Sequence, residues 1–225
     1  TSTNRHPHDA AGMYNTLIAH YGFTSQSIHF LSGHDIDPID NIYIPIDDFA
    51  TPTNVQNHIT QIANEAEVYD NVLIWWTGHG NVDVFTCPTY NTGETVLAGD
   101  LDTWVDTINC HSMYIYLGPC HSGSFIDNLS GHDNRAIYTS CKSDEVGNAN
   151  SEHSFWPWAT YQALDPDLNA TSADTNFDGR VSIGELFSFT IVFINSMTYL
   201  DPQTPQKLIG ISINESGDYI GDAYY

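Results

Sequence analysis

Val72-Leu73-Ile74-Trp75-Trp76-Thr77-Gly78-His79-Gly80 and Met113-Tyr114-Ile115-Tyr116-Leu117-Gly118-Pro119-Cys120-His121-Ser122-Gly123 are apolar runs that each stop in a glycine-bracketed turn. A continuous apolar run of about five or six residues reads as a strand buried on both faces, which means a parallel sheet covered by helices. One turn carries a histidine and the other a cysteine. In parallel sheets, function collects at the carboxyl ends of the strands, so the pattern predicts His79 and Cys120 side by side. A thiol attacks a carbonyl only as thiolate, and an imidazole is the usual neighbour that activates it. The pair therefore implies cysteine hydrolase chemistry. A cysteine inside an apolar strand is ordinarily a small buried hydrophobe. Here both side chains lie past the run, among glycines that let backbone N–H groups approach a ligand.

With 225 residues and 41% hydrophobic content, the chain supports one sizeable core, and residues 1–225 read as a single domain. Its 28 Asp and Glu face only 5 Lys and Arg, a net charge of −23. No basic cluster is present to displace phosphate counterions, which argues against nucleic acid and anionic membrane surfaces. No stretch is apolar enough for a membrane span. Acidification would neutralise carboxylates and leave mainly the 11 histidines charged, which suits an extracellular, acidic or saline setting. Cys87, Cys110, Cys120 and Cys141 show no C-x-x-C spacing, and setting Cys120 aside leaves at most one disulfide among the other three.

Working outward from the two runs, strands alternate with helices. Helical spacing runs from His8 to Tyr21, with Gly22 as its stop. Ser27 to Leu31 reads as a short strand and Ser32 to Pro52 as a loop. Thr53 to Val68 is helical with Thr53 and Gln56 in capping-box positions. Val82 to Ala98 reads as a hairpin turning at Asn91-Thr92-Gly93, and Gly99 to Asn109 as a helix. Ala136 to Ser140 and Lys207 to Ser212 are further strands. Ser154 to Leu164 and Ile183 to Met197 are further helices. The order predicts an α/β sandwich with a mostly parallel central sheet.

Residues 174–185 carry a separate signal. Asp174, Asn176, Asp178, Ser182 and Glu185 place oxygen ligands at positions 1, 3, 5, 9 and 12 of an EF-hand-type loop, and Arg180 offers its carbonyl at position 7. Gly179 supplies the sharp turn at position 6 and Val181 an apolar anchor. The loop implies one Ca2+ with a structural role.

With these residues laid out, the chain resembles the legumain family of caspase-like cysteine peptidases. Asn4-Arg5-His6 with the helix after it is similar to that family's N-Y-R-H stretch. The His79 and Cys120 blocks resemble its two catalytic blocks. Ala136 to Ser140, Ser143 to Glu145 and His153 to Phe155 resemble the following strand and substrate loop, while the Cys-His-Ser-Gly wording is closer to metacaspases. The resemblance implies a caspase-like three-layer sandwich in which Cys120 is the nucleophile, His79 protonates the leaving amine, and the N–H groups of Gly80 and Cys120 hold the oxyanion. It also implies a substrate pocket involving Arg5, His121 and Ser140, cleavage after Asp or Asn, and self-processing.

The chain departs from the family at several places. The family's histidine-orienting asparagine stands where this chain has Thr3, with Asn4 one residue off; Thr3 and Asn4 are the candidates for that role. The family's acidic residue after the nucleophile is His121, and the metacaspase pocket acid falls at Gly118. The family's first central strand precedes Asn4, so the sheet is expected to lack it unless a clipped N-terminal fragment of the same precursor supplies it. Besides a peptide or protein substrate, that fragment is the expected partner. Two rivals remain: a peptide ligase using the same acyl-enzyme, and an inactive calcium-binding recognition module.

Overall fold

The computed structural model describes residues 5–33, 44, 46–87, 93–197 and 202–220. Its elements are α1 (Arg5–His20), β1 (Leu31–Ser32), β2 (Asp48–Phe49), α2 (Pro52–Glu65), β3 (Asn71–Trp76), β4 (His79–Asn81), β5 (Val84–Thr86), β6 (Thr95–Leu97), α3 (Ala98–Val105), β7 (Ser112–Leu117), α4 (Phe125–Leu129), β8 (Arg135–Thr139), α5 (Phe155–Leu164), α6 (Ala170–Ala173), α7 (Ile183–Ser196) and β9 (Gln206–Ile209).

The main sheet has the order β3-β7-β8-β9. β3, β7 and β8 run parallel, in a register that pairs Trp76 with Leu117 and Leu117 with Thr139, and β9 closes the sheet antiparallel to β8. Every residue of β7 is buried, as its unbroken apolar run requires of a central strand. Alternation then divides the core. Tyr114 and Tyr116 face a cluster with Met13, Leu17, Trp156 and Leu186, from α1, α5 and α7. Met113, Ile115 and Leu117 face Val55, Ile59, Leu101 and Val105, from α2 and α3. Helices thus cover both faces of a mostly parallel sheet, the three-layer α/β arrangement expected.

Several sequence expectations are corrected. α2 is capped by Thr51, whose side chain accepts from the Asn54 N–H, with Pro52 in the first turn; Thr53 and Gln56 form no capping box. Proline suits the first helical position because the N–H it lacks would have no partner there. Of the expected Ser27–Leu31 strand only Leu31 joins a ladder, together with Ser32 from the expected loop, and their partner is β2, not the main sheet. The expected hairpin is a three-stranded antiparallel sheet, β4-β5-β6, which includes His79 itself. Its first turn falls at Val82 and Asp83, where Asp83 takes φ 57°; of the expected second turn, Asn91 and Thr92 lie outside the described residues. α4, buried through Phe125 and Leu129, was not anticipated. All four cysteines are free.

Among the described residues β3 pairs only with β7. Asn71, Val72, Leu73 and Trp75 of β3 line a cavity of about 410 Å3 together with Ile28–Phe30, Met13 and Leu17 of α1, and Ile62 and Ala66 near the end of α2.

Candidate active site

β3 and β7 lie side by side and parallel, so their carboxyl ends emerge together. β3 continues through Thr77 and Gly78 into His79, and β7 through Gly118 and Pro119 into Cys120. His79 and Cys120 line one small cavity, about 20 Å3, together with Arg5, His6, Gly118, Gly147, Asn148, Ser154 and Gln203. Larger cavities open at the free edge of β3 and at the amino ends of β3 and β7. Chemistry rather than size singles out this one.

The nucleophile turn is tightly held. His121, just after Cys120, takes a left-handed conformation, φ 59°. Its N–H donates to the Glu145 carbonyl at 2.9 Å and its Nδ1 lies 2.9 Å from the Ser143 carbonyl oxygen. A non-glycine residue in that region costs about 1–3 kcal/mol and persists where its surroundings enforce it. The Gly147 N–H donates to Cys120 Sγ at 3.3 Å and so fixes where the sulfur sits. Among the described residues, the Cys120 N–H donates to no acceptor. Gly80 in β4 backs directly onto this turn: a Cβ there would stand 2.8 Å from Pro119 Cβ and 2.9 Å from the Cys120 carbonyl oxygen.

His79 meets His6 edge to face, ring centroids 4.9 Å apart. Burial, and then the Arg5 guanidinium, hold the His79 imidazole below its ordinary pKa, so it is neutral and able to accept a proton. His6 is depressed further, to about 3, by burial, then by His79 and Arg5. Its Nδ1 lies 3.1 Å from Thr77 Oγ1 and 3.2 Å from Ser154 Oγ. The Ser154 N–H donates to Asp9 Oδ2, and Asp9 Oδ1 is 2.8 Å from His153 Nδ1. Asp9 is wholly buried, and burial raises its carboxyl to about 6 against the opposing pull of those two hydrogen bonds.

Arg5 lines the cavity as expected, but Ser140 and His121 do not. Ser140 is fully buried and donates its hydroxyl to the Pro119 carbonyl at 3.0 Å, so it supports the turn from behind. His121 points to the Ser143 carbonyl instead. Thr3 and Asn4, the candidates for orienting His79, lie outside the described residues. Gly147, Asn148 and Gln203 were missed, and His6 and Ser154 fall in the stretches that resemble the family but were given no role in the site. Gln203 arrives from far along the chain, accepting from the Asn148 N–H at 2.7 Å and donating to the Ser140 carbonyl at 3.1 Å; no local pattern announces it.

Comparison with known proteins bears on this cleft. Residues 54–161 match the Peptidase C13 family. The matched stretch contains His79, Gly80 and Cys120 and supports cysteine peptidase activity in general. No curated protein matches the sequence. Among solved structures, the chain is similar to protein GSU0716 from Geobacter sulfurreducens, with a TM-score of 0.51 at 12% identity over 76% of this chain and 80% of that one. That likeness is one of fold.

The loop at 174–185 is closed by its own hydrogen bonds. Asp174 accepts from the N–H groups of Asp178 and Gly179 at 3.2 and 2.9 Å. Phe177 and Gly179 take positive φ, and the Phe177 side chain points to solvent. Glu185 reaches back across the loop: Oε1 accepts from the Thr175 and Asn176 N–H groups, and Oε2 from Ser182, whose side chain in turn caps α7. Burial would raise the Glu185 carboxyl, but the bonds from Ser182, Thr175 and Asn176 outweigh it and hold it below its ordinary value. An inward-turned, ionised carboxylate at position 12 beside Asp174, Asn176 and Asp178 is a donor set that fits a hard oxygen-seeking cation.

Proposed function

We propose that this chain is a cysteine endopeptidase that cleaves after Asp or Asn through an acyl-enzyme on Cys120. One observation carries the reading: parallel neighbouring strands deliver His79 and Cys120 to the same cavity, which Arg5 also lines. His79 takes the thiol proton, and the thiolate attacks the scissile carbonyl carbon. The oxyanion is held by the Cys120 and Gly80 N–H groups, each such donor being worth about 2.7–4 kcal/mol in acyl transfer. Collapse of the tetrahedral species breaks the C–N bond as His79 passes its proton to the leaving amine. Water then hydrolyses the thioester with the same imidazole as base.

Arg5 supports the choice of an acidic or amide side chain. Arg135, Lys142 and Lys207 are each paired with a carboxylate. Arg5 has no such partner among the described residues, despite 28 acidic residues in the chain. A cation lining the cleft with its carboxylate-binding fork unused fits a carbonyl or carboxylate brought by substrate.

Asp174, Asn176, Asp178, Arg180, Ser182 and Glu185 are proposed to hold one Ca2+, which stabilises the start of α7. A further polypeptide strand, as in a clipped fragment of the same precursor, is proposed to pair with the edge of β3 away from β7, beside the cavity that β3 and Ile28–Phe30 line. The deciding experiment is cleavage of a peptide library combined with iodoacetamide labelling. Cleavage after Asp or Asn and rapid labelling at Cys120 are expected, with both lost in Cys120→Ala. Labelling confined to other cysteines, or full cleavage by Cys120→Ala, would overturn the assignment.

A further inference from the structure

The calcium loop has no second loop beside it among the described residues, yet the side on which such loops pair is covered. Residues 214–220, after β9, lie along it. Ser182 and Tyr219 form an antiparallel bridge. The Tyr219 hydroxyl donates to Asp178 Oδ2 at 2.9 Å, and the Arg180 guanidinium carbon sits 3.6 Å from the Tyr219 ring centroid. The first N–H groups of a helix have no partner within it. In α7 those of Ile183 and Gly184 donate to the carbonyls of Asp218 and Glu215, at 3.0 and 2.9 Å. The approach at Gly184 leaves no room for a side chain, since a Cβ would stand 2.8 Å from the Glu215 carbonyl oxygen. Ile220 at the far end is buried in the main core.

We infer that the segment Asn214–Ile220 completes the calcium site, with Tyr219 as the residue that positions Asp178, so that ion binding and docking of the segment are coupled. This rests on the calcium reading above. Asp178 stands at position 5 of the loop, and its carboxylate can present an oxygen to the ion only if its rotamer is fixed. The Tyr219 hydroxyl holds one oxygen from outside the loop, where the Asn176 side-chain amide also donates to it at 2.9 Å, while the Arg180 N–H donates to the other at 3.0 Å. Partners that orient a ligating carboxylate typically matter by about 10–100-fold in metal affinity. By reciprocity, whatever the docked segment contributes to ion affinity, the ion returns to docking. The effect extends to the sheet, because Glu215 pairs with Lys207 of β9 at 2.6 Å and Lys207 lies over the Phe187 ring of α7.

The test is calorimetric titration of CaCl2 into chelator-stripped protein, for wild type, Tyr219→Phe, Gly184→Ala and Glu185→Gln, with amide hydrogen exchange followed with and without calcium. Calcium is expected to raise protection at residues 214–220 as well as within 174–185. Affinity is expected to fall about tenfold in Tyr219→Phe, to fall also in Gly184→Ala with its circular dichroism retained, and to vanish in Glu185→Gln. Wild-type affinity in both Tyr219→Phe and Gly184→Ala, with no change in protection at 214–220, would overturn the coupling and leave the calcium site standing. A wild-type protein that binds no calcium would overturn both.

Discussion

Replacing Gly80 by alanine tests the packing of the catalytic centre with a single methyl group. Gly80 does not have a positive φ, so backbone strain is not at issue and the effect is steric. The new Cβ would lie 2.8 Å from Pro119 Cβ, 2.9 Å from the Cys120 carbonyl oxygen and 3.1 Å from the Val84 carbonyl oxygen. Relief to an ordinary contact near 3.4 Å requires about 0.6 Å of movement, and none of these neighbours is the tip of a flexible side chain. Overpacking of this kind costs about 1–3 kcal/mol, or roughly 3–10 °C in Tm for a domain of this size. The shift falls on the turn that aims the Cys120 N–H and the sulfur. Loss of one oxyanion donor lowers kcat by about 10²–10³-fold, and misplacement near 1 Å costs about 10²-fold, so a kcat loss on the order of 10²-fold is expected with KM little changed. The assay is steady-state cleavage of a fluorogenic peptide, alongside a thermal melt and the rate of Cys120 alkylation. A variant that melts lower but turns over like wild type would refute the oxyanion role of Gly80. One indistinguishable in both would refute the contact between β4 and the nucleophile turn.

Other expectations follow from charge and from metal. His6, at about 3 in the fold against an ordinary 6.5, disfavours the fold as pH drops below 6.5, because the unfolded chain takes up the proton first. Asp9, raised from 3.8 to about 6, has the opposite sign and favours the fold as pH drops below 6. At pH 5 the first costs about 2 kcal/mol and the second returns about 1 kcal/mol, at about 1.4 kcal/mol per pH unit. His6→Gln should therefore convert a nearly flat stability profile between pH 7 and 5 into one that rises on acidification. Urea midpoints of the variant that stay level across that range would count against the raised Asp9 carboxyl. Arg5→Gln should weaken selection for Asp at the cleavage site. It should also raise the pH at which kcat/KM falls off on the acid side, since the cation that depresses His79 is gone; an unmoved limb would separate Arg5 from His79. Chelation should lower Tm by several degrees, as removal of an ion present at about a hundredfold over its Kd costs about 2.7 kcal/mol. Glu185→Gln should melt at the chelated temperature with or without calcium.

The catalytic strands were readable because their apolar runs are long and end in glycine-flanked reactive side chains, so periodicity and chemistry agree at His79 and Cys120. The same logic misplaced Ser27–Leu31. That run looks like a strand, but the Phe30 N–H donates to the Asp47 side chain, and only Leu31 and Ser32 join a ladder. His79 was read as the end of a strand when it also opens another, because pairing with Thr86 depends on a tight turn at Val82 and Asp83 that no glycine or proline marks. Ser140 was assigned by motif to the pocket, yet its small hydroxyl is more useful buried, where it holds the Pro119 carbonyl. The contributions of Gln203 and Gly147 depend on tertiary closure between distant segments, which spacing along the chain does not encode.

The guanidinium of Arg5, which has no carboxylate partner among the described residues, sits in a molecule of net charge −23. At distances beyond about 8 Å in physiological salt a peptide senses the protein's overall negative field, and only inside that range does it sense the single cation. Substrates rich in acid should thus be slowed on approach, even where the proposed pocket takes one acidic or amide side chain on arrival. Peptides whose recognition residue is embedded among lysines and arginines should associate fastest, and added salt should narrow their advantage.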